Sequence, residues 1–323
     1  MNIQQIEALC GVVRNRFSIS TAAEVLSRSQ PQLSRQIKDL EQELGVRLFS
    51  RTKNKVLSLT PNGEEVMRIG QRILRDVKNL QQVGSEEAST SRGELTIATT
   101  HVHARYSLPK VIRRFSTRHP EVTLTLRQGD PAQCADLIAN GEADIGITTL
   151  GPKTSNDVVA IPIYKLSRCV IVPRNHRLVQ EKTLTLKKLA EFLLVAYSPL
   201  FSGRSIVDEA FARAGLRPRV ACTAIDADVS KTYVELGMGI AILARVAFDP
   251  ARDRNLVALD AEHLFRPGLL HVVLRKHSYL SARACTFVTL YAPHLDRELI
   301  RKAMNGLEID RTKVAQKTPV ASF

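Results

Sequence analysis

The chain has 323 residues, of which 44% are hydrophobic and 24% charged, and its formal net charge is +14 at pH 7. This length is enough for two domains, each with a core of its own. The basic surplus favours an anionic partner such as nucleic acid. Its five cysteines are scattered without a Cys-x-x-Cys pair, which excludes a disulfide framework and a cysteine-based zinc site.

Targeting and membrane segments are not recognisable in the sequence. No apolar run approaches the roughly 20 residues that a membrane helix needs. The first residues lack the basic and apolar regions of a signal peptide. We therefore expect a cytoplasmic protein with no membrane partner.

Residues 18–41 predict two short helices joined by a tight turn. Ala22 and Ala23 give the first helix a small apolar face, against which a second helix can cross closely. Ser29 can cap the second helix, and Pro31 lies in its first turn, where the missing N–H costs nothing. This arrangement is typical of a helix-turn-helix.

The second of these helices has one apolar and one polar face. Leu33, Ile37 and Leu40 recur at helical spacing and form the side that packs. The polar side chains suit base edges and phosphate oxygens, because Gln pairs with adenine, Arg with guanine, and Ser or Lys with phosphate. The residues that we expect to contact DNA from this helix are Ser29, Gln30, Gln32, Ser34, Arg35 and Lys38. The helix alone leaves a second interpretation open, an ordinary solvated polar face.

A basic hairpin is predicted after this helix. Gly45 has the position of a helix C-cap, and two short apolar segments then flank a turn. Arg51 and Lys53 lie in that turn, where the wing of a winged helix-turn-helix would contact the DNA backbone. Thr60 and Pro61 then start another helix as its cap and first residue.

These motifs resemble the LysR-type transcriptional regulators. The resemblance rests on Ala22-Ala23…Leu26…Ser29-Gln-Pro-x-Leu-Ser-Arg-Gln-Ile37, on Leu40-Glu41…Leu44-Gly45-x-x-Leu48-Phe49-x-Arg51 and on Leu59-Thr-Pro-x-Gly63. It implies a winged helix-turn-helix domain over residues 1–60 that binds double-stranded operator or promoter DNA. It leaves RNA polymerase open as a further partner.

A longer linker helix is predicted for residues 61–84. Its apolar stripe recurs at steps of three and four and consists of Val66, Ile69, Ile73, Val77 and Leu80. A helix that links two domains has little of its own chain to pack against, so the stripe favours self-association as a homodimer or homotetramer; packing on its own domain is the alternative. Residues 85–93 are small and polar and predict a flexible linker.

Strands and helices alternate from residue 94 onward, which predicts an α/β domain with parallel sheets. The same order recurs later, so we expect a two-lobed, periplasmic-binding-protein-like effector domain over residues 94–295. Lobe I would comprise about 94–161 plus 267–295 and lobe II about 162–266, with crossovers near Ile161–Pro162 and Phe265–Pro267. Residues 296–323 predict a polar tail, disordered at its end.

The ends of the predicted strands carry hydroxyl groups and helix starts. In open α/β sheets ligands bind at these carboxyl ends, here in the cleft between the lobes. Hydroxyls together with helix N–H groups suit an anion without any cationic side chain. The candidate ligand-binding residues are Thr99, Thr100, His101, Val102, His103, Thr149 and Ser202. The alternative is that the Thr and Ser residues are only helix caps.

The second domain resembles the CysB/Cbl branch of the family. The matching motifs are Ala98-Thr-Thr-His-x-x-Ala-Arg-Tyr-x-Leu-Pro109, Gln128-Gly129, Gly203-Arg-Ser205 and Thr223-Ala-x-Asp-x-Asp-Val229…Lys231-Thr-Tyr-Val234…Leu236-Gly-x-Gly239. This resemblance implies a ligand-responsive regulator of sulfur metabolism genes, including cysteine biosynthesis, that senses a sulfate-like anion or sulfur metabolite. A LysR-type regulator of another pathway, with an unrelated ligand, is the alternative.

The chain departs from the branch's pocket pattern at three positions. Val102 and His103 stand where the branch has Thr-Gln, and Ser202 stands where it has a threonine. We therefore expect a shifted ligand preference. His103 offers an imidazole that could be charged near pH 7, which predicts stronger anion binding below pH 6.5 if it contacts the ligand.

Enzyme motifs are missing from the sequence. There is no Gly-x-Ser-x-Gly elbow, phosphate-binding loop or His-Glu-x-x-His pair. His101 and His103 have no carboxylate or cysteine near them in the sequence, so we expect no metal, no cofactor and no catalytic residue. A solute-binding protein would share the two-lobed cleft but would leave residues 1–60 without a role. An enzyme on the same fold is a more distant alternative.

Overall fold

A computed structural model describes residues 1–52, 55–83, 92–150, 155–307 and 318–321. The chain divides into two compact units, Met1–Glu86 and Glu87–Phe323. Within the described residues, no helix is long and apolar enough to cross a membrane.

The first unit contains four helices and one hairpin among its described residues. They are α1 (Ile3–Arg14), α2 (Ile19–Val25), α3 (Gln30–Leu44), β1 (Phe49–Thr52), β2 (Lys55–Leu59) and α4 (Pro61–Val83). The predicted helix boundaries of α3 are confirmed: the Ser29 hydroxyl accepts the N–H of Gln32 at 3.3 Å, and Gly45 ends the helix with φ +68°. Thr60 caps α4 by accepting the N–H of Gly63 at 2.9 Å.

The apolar side of α3 is buried in the core of this unit. Leu33, Ile37 and Leu40 are fully buried and pack with residues of α1 and α2. A Glu41 carboxylate oxygen accepts the backbone N–H groups of Leu48 and Phe49 at 2.8 and 3.2 Å, which ties α3 to the hairpin. The polar side of α3 is therefore held in a defined orientation by the packed side.

The apolar stripe of α4 is divided between two surroundings. Val66 and Ile73 pack against the core of the first unit, so packing on its own domain accounts for part of the stripe. Ile69 and Leu80 are exposed, with relative accessibilities of 38% and 72%. Val77, the remaining residue of the stripe, is half-buried, so the part of the stripe that is open to a second chain centres on Ile69 and Leu80.

In the second unit, five strands and four helices of the described residues form lobe I. Lobe I comprises β3 (Arg92–Thr99), α5 (Pro109–Arg118), β4 (Glu121–Gln128), α6 (Pro131–Ala139), β5 (Ile145–Thr149), β6 (Val158–Leu166), β12 (Gly268–Arg275), α10 (Ala282–Tyr291) and α11 (Arg297–Met304). The sheet order is β4-β3-β5-β12-β6. β3 pairs with β4 and β5 in parallel, as predicted, but β12 runs antiparallel to β5 and β6. β12 enters from the opposite end because the chain returns from lobe II.

Lobe II contains two smaller sheets. Its elements are β7 (Arg168–Pro173), α7 (Leu186–Ala190), β8 (Leu194–Tyr197), α8 (Ser202–Arg213), β9 (Val220–Ala224), α9 (Ala227–Glu235), β10 (Ala241–Ala244) and β11 (Leu256–Asp260). β10-β7-β11 is antiparallel and β8-β9 is parallel. The expectation of a parallel sheet in each lobe is therefore wrong for the sheet that contains β7 and β11, two strands that were not predicted from the sequence.

Several predicted boundaries also differ from the structure. β6 continues past Ile161–Pro162 and stays paired with β12, so the crossover lies after Leu166 and residues 162–166 belong to the sheet of lobe I. Arg92 and Gly93 start β3 rather than end a linker. Residues 84–91 and Lys53 lie outside the described residues.

The predicted tail begins with a packed helix. Ile300, Ala303 and Met304 of α11 are buried and join the core of lobe I. Further on, the N–H of Lys165 donates to the carbonyl of Pro319 at 2.8 Å, and the N–H of Ala321 donates back to Lys165 at 2.9 Å. Residues 318–321 thus extend the edge of the lobe I sheet beside β6, where backbone groups would otherwise lack partners.

Candidate functional site

The polar face of α3 is open to a ligand. Gln30, Gln32, Arg35 and Lys38 are exposed, and Ser34 is half-buried. The side chain of Arg35 is 84% exposed and lies 3.9 Å from Asp39, one turn on, so it is free to reach a base edge. Packing of the opposite face fixes the direction in which these side chains point.

Arg51 in the hairpin has a partner within its own domain. Its guanidinium donates to the second Glu41 carboxylate oxygen at 3.3 Å, while its side chain remains 42% exposed. The same Glu41 also holds the start of β1. Arg51 therefore supports the orientation of the hairpin as well as presenting a positive charge.

One pocket in the second unit collects residues from both lobes. Six of the seven predicted ligand-binding residues line it: Thr100, His101, Val102, His103, Thr149 and Ser202. Thr99 does not, because its side chain is buried and its hydroxyl donates to the carbonyl of Ile147 at 2.7 Å. The lining that the sequence analysis did not predict is Leu166, Arg168, Tyr197, Phe201, Gly203, Ile225 and Ala244.

Hydroxyl groups in this pocket are available to a ligand. Within the described residues, the side-chain oxygens of Thr100, Thr149 and Ser202 form no hydrogen bond to protein. The helix α8 begins at Ser202 without a side-chain cap, so no side chain of the capping residue Phe201 holds its first N–H groups. The alternative that this hydroxyl is only a helix cap therefore does not apply to Ser202. Free hydroxyls beside a helix N-terminus suit an oxyanion.

His103 lines the pocket but is almost fully buried. Its Nδ1 lies 3.4 Å from the Ser107 hydroxyl, which in turn accepts a hydrogen bond from Tyr291. Burial lowers the pKa of His103 to about 4. Burial disfavours the charged imidazolium, so of the two forms that the sequence leaves open the structure favours the neutral imidazole.

A charged cluster joins the two lobes beside the pocket. Asp228, on α9 of lobe II, contacts three side chains of lobe I. Its carboxylate lies 2.8 Å from His101 Nε2 and 2.8 Å from Arg105 Nε, and it accepts a hydrogen bond from the Tyr106 hydroxyl. Lobe II thus supplies the carboxylate that the sequence around His101 lacks. Asp228 and His101 are 127 positions apart, so spacing could not reveal the pair.

The pKa of Asp228 reflects this cluster. Partial burial raises it, but hydrogen bonds from Tyr106 and His101 and the charges of Lys231 and Arg105 outweigh burial, so the pKa lies below its ordinary value. His101, Asp226 and Asp228 also present possible metal-ligand atoms within 4.8 Å of one another. Because those cations already neutralise Asp228, we assign no metal to this group.

Lys231 forms the buried centre of the cluster. Its ammonium group donates to both Asp253 carboxylate oxygens at 2.8 and 2.9 Å, to the Ala247 carbonyl at 3.0 Å and to the Tyr106 hydroxyl at 2.7 Å. Burial lowers the pKa of Lys231, but the hydrogen bonds to Asp253 and Tyr106 more than offset this and raise it. The sequence motif that contains Asp228 and Lys231 had already drawn attention to these two residues, but it did not indicate which side chains they contact.

Comparison with known proteins covers both units. Residues 3–64 match the family model described as bacterial regulatory helix-turn-helix protein, lysR family, and residues 88–296 match the LysR substrate binding domain. The chain is 46% identical to the HTH-type transcriptional regulator SsuR of Burkholderia cenocepacia over 94% of this chain and all of that one. It is 41% identical to CysB of the same organism, over 95% of this chain and 98% of the relative.

A solved structure of similar fold supports the architecture of the second unit. The cofactor-binding domain of the Cbl transcriptional regulator superposes with a TM-score of 0.64 at 40% identity, covering 67% of this chain and 95% of that one.

Proposed function

The chain belongs to the LysR family of bacterial transcriptional regulators, and we propose that it controls sulfur metabolism genes in response to an anion bound between its two lobes. It is a DNA-binding regulator and not an enzyme. The observation that carries the proposed effector is the convergence of three unpartnered hydroxyls, from both lobes, on one pocket. A sulfate-like anion or an organosulfur acid has the oxygen atoms that such donors bind.

The sulfur assignment is supported by the relatives. SsuR, CysB and Cbl are similar to this chain over most of its length, and Thr99, Thr100, His101 and Thr149 match the CysB/Cbl pocket pattern. Val102 and His103 depart from that pattern at the pocket wall. They favour a ligand with a less polar portion beside the anionic group, since Val102 offers no hydrogen bond.

We propose that Gln30, Ser34 and Arg35 contact bases in the major groove, while Arg51 contacts the backbone. Replacing Arg35 with Ala should weaken operator binding by about 1–3 kcal/mol and relax sequence preference, because a bidentate contact to guanine is lost. Arg51→Ala should instead weaken all sequences alike and lower the salt dependence. Fluorescence anisotropy with operator and scrambled duplexes measures both effects.

The control for this test is Arg14→Ala, an exposed arginine at the end of α1 that carries the same charge. It should bind both duplexes almost as the parent protein does. If Arg35→Ala retained the parent's preference for operator over scrambled DNA, α3 would not be reading the bases through Arg35.

The hydroxyl assignment is tested by Thr100→Ala. Each hydrogen bond to a charged oxygen contributes roughly 1.5–3 kcal/mol, so we expect sulfate or an alkanesulfonate to bind about ten- to a hundredfold more weakly. Calorimetry with the full chain measures this change. Ser205→Ala is the matched control, because the Ser205 hydroxyl donates to the Ser202 carbonyl within α8 and does not line the pocket. Equal affinities of the parent and Thr100→Ala would place the anion elsewhere.

We also propose that self-association uses the outer part of the α4 stripe, where Ile69 and Leu80 are exposed. Two DNA-reading heads held at a fixed distance are what a site with two half-sites requires. A homodimer satisfies this requirement, and a homotetramer would pair two dimers. The regulator would act on promoter DNA in the cytoplasm, with RNA polymerase as its further partner.

A further inference from the structure

A buried arginine lies in the wall of the effector pocket. Arg168 is the first residue of β7, and its side chain is only 3% exposed. Its Nε is buried without a hydrogen-bond partner. Within the described residues the guanidinium forms no ion pair, which contrasts with Lys231, whose buried charge is matched by Asp253.

This position is costly for the unliganded protein. Charged side chains are almost never fully buried unless they are paired, because the charge loses its hydration without compensation. Burial lowers the pKa of Arg168, yet a guanidinium stays protonated in proteins. A buried and uncompensated positive charge is therefore a feature that needs a counter-charge from outside the chain.

Two glycines make room for the guanidinium at the pocket. A Cβ atom on Gly203 would lie 3.2 Å from Arg168 Nη1, and one on Gly268 would lie 3.3 Å from Nη2. Gly203 is the second residue of α8, directly after Ser202. The guanidinium is thus held beside the uncapped start of α8, where the N–H groups also attract negative charge.

We propose that Arg168 is the charged anchor of the effector site and binds two oxygens of the effector's anionic group with its planar fork. This inference rests on the proposed function and refines it: the effector must carry a full negative charge with two oxygens on one side, as in a sulfate, sulfonate or carboxylate. It also replaces the expectation of a site without a cationic side chain. Thr100, Thr149 and Ser202 then hold the remaining oxygens.

Arg168→Met separates an anchor from a structural arginine. Methionine has a similar length and no charge, so removing the unpaired charge should keep or raise the melting temperature of the unliganded protein. The same change should weaken binding of the effector's anion by about a hundredfold or more, because a buried, hydrogen-bonded charge pair is lost. A residue needed only for packing would show the opposite pattern, a lower melting temperature with unchanged affinity.

The experiment uses the full chain and three probes: inorganic sulfate, methanesulfonate and acetate. Thermal melting and calorimetry are recorded for the parent, Arg168→Met, Arg168→Lys and Thr100→Ala. Arg217→Met is the matched control, because Arg217 is exposed and lies outside the pocket. The parent should bind at least one probe, Arg168→Lys should bind it more weakly because a lysine lacks the fork, and Arg217→Met should bind it as the parent does.

The outcomes distinguish this inference from the proposed function. If Thr100→Ala weakens binding and Arg168→Met does not, the anion binds in the pocket but Arg168 does not bind it, and this inference is overturned. If no probe binds the parent, both are overturned. If Arg168→Met does not fold, Arg168→Lys decides, since parent-like affinity in that variant would contradict a bidentate contact.

Discussion

Replacing Lys231 with Met should lower the free energy of unfolding by about 3–5 kcal/mol. The ammonium group is buried, with its side chain 6% exposed, and it is the cation that faces the buried Asp253 carboxylate. Methionine fills the space but leaves that carboxylate without a counter-charge. The loss should appear as a lower urea midpoint for the effector-domain transition of the full chain.

Two controls show whether the lost charge is the cause. In the double variant Lys231→Met with Asp253→Leu, no uncompensated charge remains, so much of the stability should return. Lys110→Met removes an exposed lysine of α5 and should leave the midpoint almost unchanged. A Lys231→Met protein as stable as the parent would mean that the cluster contributes little net free energy.

The stability of the protein should fall as the pH is lowered from 6.5 towards 4, by about 3 kcal/mol through His103 alone. The pKa of this buried imidazole is lowered by burial from 6.5 to about 4. Between these values the unfolded chain binds a proton that the folded chain does not, so acid favours unfolding. The contribution is fully present above pH 6.5 and is lost as the pH falls towards the folded pKa.

Urea midpoints at pH 7, 6 and 5 for the parent and His103→Gln test this expectation, since glutamine has no titrating proton and should flatten the slope. His277→Asn is the control, because His277 is exposed and asparagine tolerates its positive φ of +49°. Asp228 does not affect the stability in this pH range. Because its pKa is lowered, its contribution to the free energy of unfolding is lost only below the ordinary value of 3.8. The same slope in His103→Gln as in the parent would contradict the assignment.

His101 is shared by the pocket and the charged cluster. It lines the proposed effector pocket, while its Nε2 contacts Asp228 of the other lobe. Asp228 is in turn 3.3 Å from Lys231, the buried centre of the cluster. The proposed effector pocket and the connection between the lobes therefore share one side chain, a link that the positions of these residues in the chain do not suggest.

The sequence by itself determined the features that depend on a few neighbouring residues. The Ser29 cap, the Gly45 helix end and the buried face of Leu33, Ile37 and Leu40 were all predicted, and the structure confirms them. Each depends on residues within about one or two helical turns, where spacing and side-chain chemistry decide the conformation. The same locality explains why the strand ends of the pocket could be found from the sequence.

Only the tertiary structure decided which of these side chains are buried, paired or charged. The Nε of Arg168 is left without a hydrogen-bond partner and the pKa of His103 is lowered because segments distant in the chain enclose both side chains. The antiparallel course of β12 and the packing of α11 likewise follow from where the chain returns to lobe I. Desolvation and ion pairing depend on distances between groups more than a hundred residues apart, such as His101 and Asp228, and local sequence carries no information about those distances.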